Sequence, residues 1–290
     1  MNYQLKNDKL CVTVSDKGAE LVSVIGNDGF EYIWQGADGF WSNHAPVLFP
    51  ACGRILNNTY TTGGVSYNMG LHGFAANEIF SAELATDNEL ILTLTENEET
   101  LKQYPFEFKF TARFTLSDDA LSVDFTVDNK GNKVLPYMVG WHPGFNLENG
   151  CAIGDFSLKF NSGDELIWHP LQNGCFVCPV GQSYTVNNAT YALCEEEIYK
   201  NDTLIFKGTG ERALLFSDKV NHGVDMSWSD NLPYFCIWKE DSSDARFVCL
   251  EPWSDVPGDG DAPENFDTKK LSRLQPAERK AYSYKVKFTK

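Results

Sequence analysis

The sequence predicts one large all-β domain, an antiparallel sandwich of many strands joined by long loops. Three observations point there. Apolar residues alternate with period two along much of the chain, Gly, Asn and Asp recur at turn-like intervals, and helical periodicity is scarce. In chain order, "KLCVTV" is the first strand candidate, and "ELILTLTE" aligns Leu90, Leu92 and Leu94 on one face. "NEETLKQY" predicts a short helix of one or two turns before Pro105. "EFKFTARFTL" puts Phe108, Phe110, Ala112, Phe114 and Leu116 on one face; "SDD" supplies a turn; "ALSVDFTVD" returns with Leu121, Val123, Phe125 and Val127. That is a long antiparallel hairpin. "ALLFS", "VDMSW", "YFCIW" and "RFVCLE" follow, and "AYSYKVKF" closes the chain with Tyr282, Tyr284, Val286 and Phe288. The absence of a fixed-period repeat, a low-complexity tract or a Pro- or Ser-rich linker leaves residues 1–290 as a single domain.

Composition narrows the function. The chain has 290 residues, 42% hydrophobic and 22% charged, enough to bury a sizeable core. A formal net charge of −16 repels nucleic acid and anionic membranes. It also disfavours a strongly anionic substrate unless Arg and Lys gather locally, and the six arginines are scattered in sequence. A phosphorylated ligand is therefore expected to be the poorer one. No apolar run reaches transmembrane length, and the polar start "MNYQLKNDKL" lacks a signal-peptide core. The expected location is cytoplasmic, with the eight cysteines as reduced thiols, mostly in apolar runs. Cys175 and Cys178 form a C-x-x-C pair, but no second pair follows at metal spacing, so plain thiols and no metal are expected.

Ionisable residues at rigid points carry the chemistry. Of five histidines, His44, His169 and His222 read as surface or core imidazoles. His72, in "MGLHGFA", is bracketed by Gly70 and Gly73, and His142, in "VGWHPGF", is followed by Pro143 and Gly144. Such neighbours let a loop approach a ligand and then hold still. Glu251, in "FVCLEPW", ends an apolar run that Pro252 is expected to stop. Two readings stand open: satisfied structural groups, or a proton-shuttling set. Two imidazoles and a carboxylate without a Ser or Cys nucleophile motif suit the second. The polar loop "SDVPGDGDAPENFDTKK", residues 254–270, follows directly and is long enough to be functional.

"LFPACGRILNNTY", "MGLHGFA", "YPFEFKF", "VGWHPGFN", "YKNDTLIF" and "CLEPW" run in order over residues 48–253. In these segments the chain resembles the aldose 1-epimerases, or galactose mutarotases, and among them the LacX-like branch. The resemblance implies a β-supersandwich and interconversion of the α and β anomers of a free aldose such as galactose or glucose. It implies no cofactor, and a small sugar as the partner. The family's catalytic base falls on Glu251, its catalytic acid on His142, and its second active-site histidine on His72. Its sugar-binding arginine falls on Arg54, and its hydroxyl-binding aspartate on Asp202, with Asp225 in "HGVDM" as the competing match. Acid and base are expected on opposite sides of one pyranose ring, a few ångströms apart. Trp141 and Trp253 are expected to be packing support. A hexose-6-phosphate 1-epimerase and a non-catalytic carbohydrate-binding protein are the alternative readings, and the oligomeric state stays open between monomer and homodimer.

Overall fold

The alternating strands assemble into two large antiparallel sheets. The computed structural model describes residues 1–173, 176–242 and 244–290. One sheet runs, neighbour by neighbour, through Thr190–Ala192, Ser157–Phe160, Arg212–Phe216, Gly223–Trp228, Arg279–Thr289, Ala120–Asn129, Phe108–Ser117, Glu89–Thr95 and Ser81–Ala85. The predicted hairpin lies in its middle, with Leu121 opposite Leu116 and Phe125 opposite Ala112. The second sheet runs through Gln182–Thr185, Glu165–Trp168, Thr203–Lys207, Tyr234–Trp238, Phe247–Trp253, Gly140–Trp141 and Val47–Leu48.

The apolar faces read from the sequence form the core. Phe108, Phe110, Phe114, Phe125 and Tyr282 are fully buried. Each such side chain stabilises the fold by about 1.5–3 kcal/mol before the entropy of ordering is subtracted. Phe49 reaches from the second sheet's edge into this layer, 4.9 Å from the Phe110 ring and 5.1 Å from that of Phe108. One hydrophobic cluster thereby extends from Leu5 to Phe288.

The short helix forms as Glu98–Gln103, and its start is encoded locally. The Asn97 side chain accepts the Glu99 and Thr100 N–H groups, and the Thr100 hydroxyl accepts the Asn97 N–H. That capping box satisfies donors a helix otherwise leaves free. A second helix, Glu195–Asn201, was not expected from the sequence. It buries only Ile198, too little for a periodic signature, and is marked by three glutamates in its first turn.

The strand Phe247–Trp253 departs from expectation in a way that shapes the site. It is buried at every position and continues through Pro252. On one side it pairs with Tyr234–Trp238, on the other with two short strands, Gly140–Trp141 and Gly144–Asn146. Leu250 N–H donates to Pro143 O and Ser254 N–H to Val139 O. By the register on either side Pro252 is opposite Trp141, so the ladder goes without one donor there while the strand itself continues. His142 and Pro143 lie between the two short strands, opposite Glu251 and Leu250.

Candidate active site

The second sheet carries a cavity of about 420 Å³ whose lining includes Arg54, His72, His142, Asp202 and Glu251. Five residues spread over 198 positions of sequence (54 to 251) thus meet at one place, and the competing Asp225 does not. Asp225 pairs with Arg212 on the opposite sheet, its Oδ1 accepting from Nε at 2.7 Å.

Glu251 and His142 are in contact. His142 Nε2 lies 3.2 Å from Glu251 Oε2, and Glu251 is wholly buried. Yet His142 Nδ1 and both Glu251 oxygens lack a well-formed hydrogen-bond partner. Unsatisfied polar atoms inside a protein are costly, so three of them at the floor of a cavity mark a place built for a polar ligand. Burial pushes the Glu251 carboxyl well up; the Trp253 indole opposes this and the Asp202 charge adds to it. Burial also pushes the His142 imidazole well down, with His72 as a second cause. Both shifts have one origin, since an isolated charge is disfavoured there. The favoured state carries no net charge on the pair, a Glu251 carboxyl beside a neutral His142 imidazole. The pair's other form without net charge is the carboxylate–imidazolium ion pair.

His72 is held differently. Its Nδ1 accepts the Gly53 N–H at 3.0 Å, and its backbone N–H donates to Gly53 O at 3.0 Å. Accepting at Nδ1 leaves the ring proton on Nε2. Burial, then the Arg54 charge, lowers its pKa to about 4, so it is a neutral N–H donor at neutral pH. Its backbone lies at φ 62°, in the left-handed region. Gly73 follows at φ 77°, and a Cβ there would sit 2.3 Å from Phe49 O. The glycine is needed for this close approach, which is the physical content of "LHGF". The His72 ring stands 5.4 Å from that of His142, nearly perpendicular to it.

Asp202 enters from the unexpected helix. It follows Asn201 at φ 59°, ψ −65°, a strained conformation for a non-glycine residue. The helix is clamped from below by Lys239, which is 3% exposed. Its Nζ donates to Tyr199 Oη at 2.8 Å and lies 3.3 Å from Glu195.

The tryptophans divide. Trp141 is fully buried, its indole donating to Ala45 O at 3.1 Å, as packing support should be. Trp253 lines the cavity instead, its indole N–H acting on the Glu251 carboxyl without forming a well-formed hydrogen bond. The sequence reading missed Trp41 and Trp238, whose rings flank His142 at 5.1 and 5.6 Å. Trp238 shares a sheet face with Glu251, because Cys236 is opposite Glu251 and Trp238 opposite Cys249. That signal appears only once strand pairing is known. Trp41 sits on an irregular loop and leaves no sequence trace. From the loop 254–270, Pro257 reaches the wall. Lys17, also unforeseen, lines the cavity. Among the described residues neither it nor Arg54 has a carboxylate within ion-pair distance. Cys178 is a free thiol, while its C-x-x-C partner Cys175 lies outside the described residues.

An antiparallel double sheet whose polar and aromatic cavity ends on a buried carboxylate–imidazole pair defines a class of acid–base site for small polar molecules. The family model "Aldose 1-epimerase" matches residues 1–283, and the chain belongs to that family. It is similar to a galactose mutarotase related enzyme from Lactobacillus acidophilus at 31% identity and TM-score 0.92, covering 99% of this chain and 97% of that one. A galactose mutarotase-like protein from Lactobacillus casei matches at 28% identity and TM-score 0.91, covering 99% and 100%. The LacX protein (chromosomal) of Lactococcus lactis is 28% identical over 298 residues, 99% of each chain. The fold is that of the galactose mutarotase-like structures, and family membership supports an epimerase-type isomerase activity. Among the described residues no helix is long and apolar enough to cross a membrane.

Proposed function

We propose that the protein interconverts the α and β anomers of a free aldose, with Glu251 as general base and His142 as general acid. The observation that carries this is the buried pair in direct contact, with its unsatisfied atoms at the floor of the cavity. The sequence reading set acid and base on opposite sides of a pyranose ring. Contact suits the reaction better, because the anomeric hydroxyl oxygen and the ring oxygen are both bonded to C1. In the ion-pair form, the Glu251 carboxylate takes the proton of the C1 hydroxyl. The His142 imidazolium delivers its proton to the ring oxygen. The C1–ring oxygen bond breaks and the C1–hydroxyl oxygen bond becomes the carbonyl of the open aldehyde. Rotation about C1–C2 presents the other carbonyl face, and reversal closes the ring as the other anomer, returning both protons.

The pair's single exchangeable proton serves this chemistry. The site carries the required proton count without a net charge, and sugar hydroxyls entering the cavity favour the ion-pair form by solvating it. His72, a neutral donor, is placed to hold a sugar oxygen. Arg54 and Asp202 supply a fixed donor and acceptor for further hydroxyls, and Trp41, Trp238 and Trp253 supply apolar surface for ring carbons.

Polarimetry on freshly dissolved α-D-glucose and α-D-galactose tests the reading. Acceleration of the drift to equilibrium by the chain is the expected result, and an unchanged drift for both sugars would leave a carbohydrate-binding role. A second reading, turnover of a sugar phosphate, is favoured by Lys17 standing with Arg54 at the cavity. The net charge of −16 argues against it. A higher kcat/KM for glucose 6-phosphate than for glucose would reverse that preference.

A further inference from the structure

The proposed mechanism leaves unused the thiol of Cys249, two residues before Glu251 on the same strand face. The ligand atoms of His142, Cys249 and Glu251 lie within 4.8 Å of one another, and all three residues are buried. Cys236, opposite Glu251 in the neighbouring strand, does not fall within that group. We propose that His142, Cys249 and Glu251 form a binding site for a soft divalent transition-metal ion such as Zn²⁺, and that the bound ion blocks the acid–base pair.

The donor set selects the ion class. One nitrogen, one sulfur and one oxygen suit zinc-like ions, whereas magnesium and calcium need oxygen cages. Zinc bonds of about 2.0–2.3 Å in a tetrahedron place ligand atoms roughly 3.3–3.8 Å apart. Contraction from within 4.8 Å takes about 1 Å, within reach of side-chain rotation alone. Three protein ligands leave the fourth position open to water. Charge supports the same conclusion. A carboxylate and a thiolate around a divalent cation sum to zero, which the dry floor tolerates while rejecting each charge singly. The two protons displaced on binding pass to solvent. His142 Nδ1 and the Glu251 oxygens, unpartnered in the protein, make the site polar enough to attract an ion. Because the ion sits on the catalytic pair, it and the sugar exclude one another.

The test uses the purified full chain and Zn²⁺ or Cd²⁺ without sugar. Equilibrium dialysis is expected to give one ion per chain, and Cd²⁺ to give a thiolate-to-metal charge-transfer band. Cys249→Ser should abolish the band and weaken Zn²⁺ by more than about 10-fold, the usual floor for loss even of a supporting group. Cys236→Ser should keep both. Zn²⁺ should inhibit mutarotation, EDTA should restore it, and saturating glucose should weaken Zn²⁺ binding. Absence of stoichiometric binding overturns the proposal, as does unchanged Zn²⁺ affinity in Cys249→Ser, or a band lost in Cys236→Ser instead. Should Cys249→Ser fail to fold, unchanged affinity in His142→Gln overturns it equally. The proposal rests on the placement of the acid–base pair, but its primary readout needs no turnover. A chain that binds Zn²⁺ and never mutarotates would sink the epimerase reading alone. One that mutarotates without binding would sink the metal site alone.

Discussion

Replacing Glu251 by Gln separates the chemistry of the site from its packing. The amide has almost the shape of the carboxyl, so the fully buried cluster around it is undisturbed. What disappears is the ability to take a proton. A positioned general base contributes about 10²–10⁴-fold, so kcat should fall by that factor, about 2.7–5.4 kcal/mol of transition-state stabilisation. KM should change little, because Arg54, His72 and Asp202 still hold the sugar. Stability should move the other way. Burial raises the Glu251 pKa above its unfolded value. A group raised on folding contributes its full stability below the unfolded pKa, near 4.5, and loses it as pH rises toward the folded pKa. Gln does not titrate, so the variant should gain on the wild type as pH rises from 5 to 8. Polarimetry gives kcat and KM, and urea denaturation at the two pH values gives the stability difference. A kcat close to wild type would refute the assigned base. A variant that loses stability relative to wild type between pH 5 and 8 would refute the electrostatic account of the floor.

Other outcomes follow from the same geometry. His142→Asn should lower kcat like Glu251→Gln, and the double variant should be little worse than either, because the pair acts as a unit; multiplicative losses by polarimetry would contradict this. Arg54→Ala should chiefly raise KM with kcat nearly kept, as loss of uniform binding does; a fall confined to kcat would assign Arg54 to the transition state. Gly73→Ala forces a Cβ to 2.3 Å from Phe49 O and 2.7 Å from Pro50 N at φ 77°. Its melting temperature should drop by more than that of Gly63→Ala, which meets nothing within 4 Å, and equal losses would show that the close approach to Phe49 is unimportant. His222 lies between Glu148 Oε2 at 2.7 Å and Asp28 Oδ2 at 3.1 Å, with Lys290 beside Asp28 and Tyr32 adjoining. Burial lowers its pKa, but the two carboxylate bonds outweigh it and the net shift is upward. Its stabilising effect should be full below pH 6.5 and fade above, so the stability gap to His222→Gln, followed by thermal melts, should narrow as pH rises; a widening gap would reverse the sign.

The sequence by itself determined the local elements and their inward faces. Period two in "EFKFTARFTL" and "ALSVDFTVD" reports which side chains leave water, and the same alternation pairs Leu116 with Leu121 in the folded hairpin. Asn97 and Thr100 begin a helix through contacts three residues apart, a range sequence reading can see. The quoted motifs also carried Arg54, His72, His142, Asp202 and Glu251, all of which line one cavity. Tertiary structure alone decided what depends on pairing between distant strands. It set the 3.2 Å contact between residues 142 and 251 and the passage of a buried strand through Pro252. It also set the shared face of Cys236, Trp238, Cys249 and Glu251. Trp41 and Lys17 reach the cavity from loops, where no periodicity announces a side chain's direction. Proton affinities belong with these. Each depends on burial and on neighbours far away in sequence, so "LEPW" and "GWHP" name the groups while only the closed fold brings them together in a buried place.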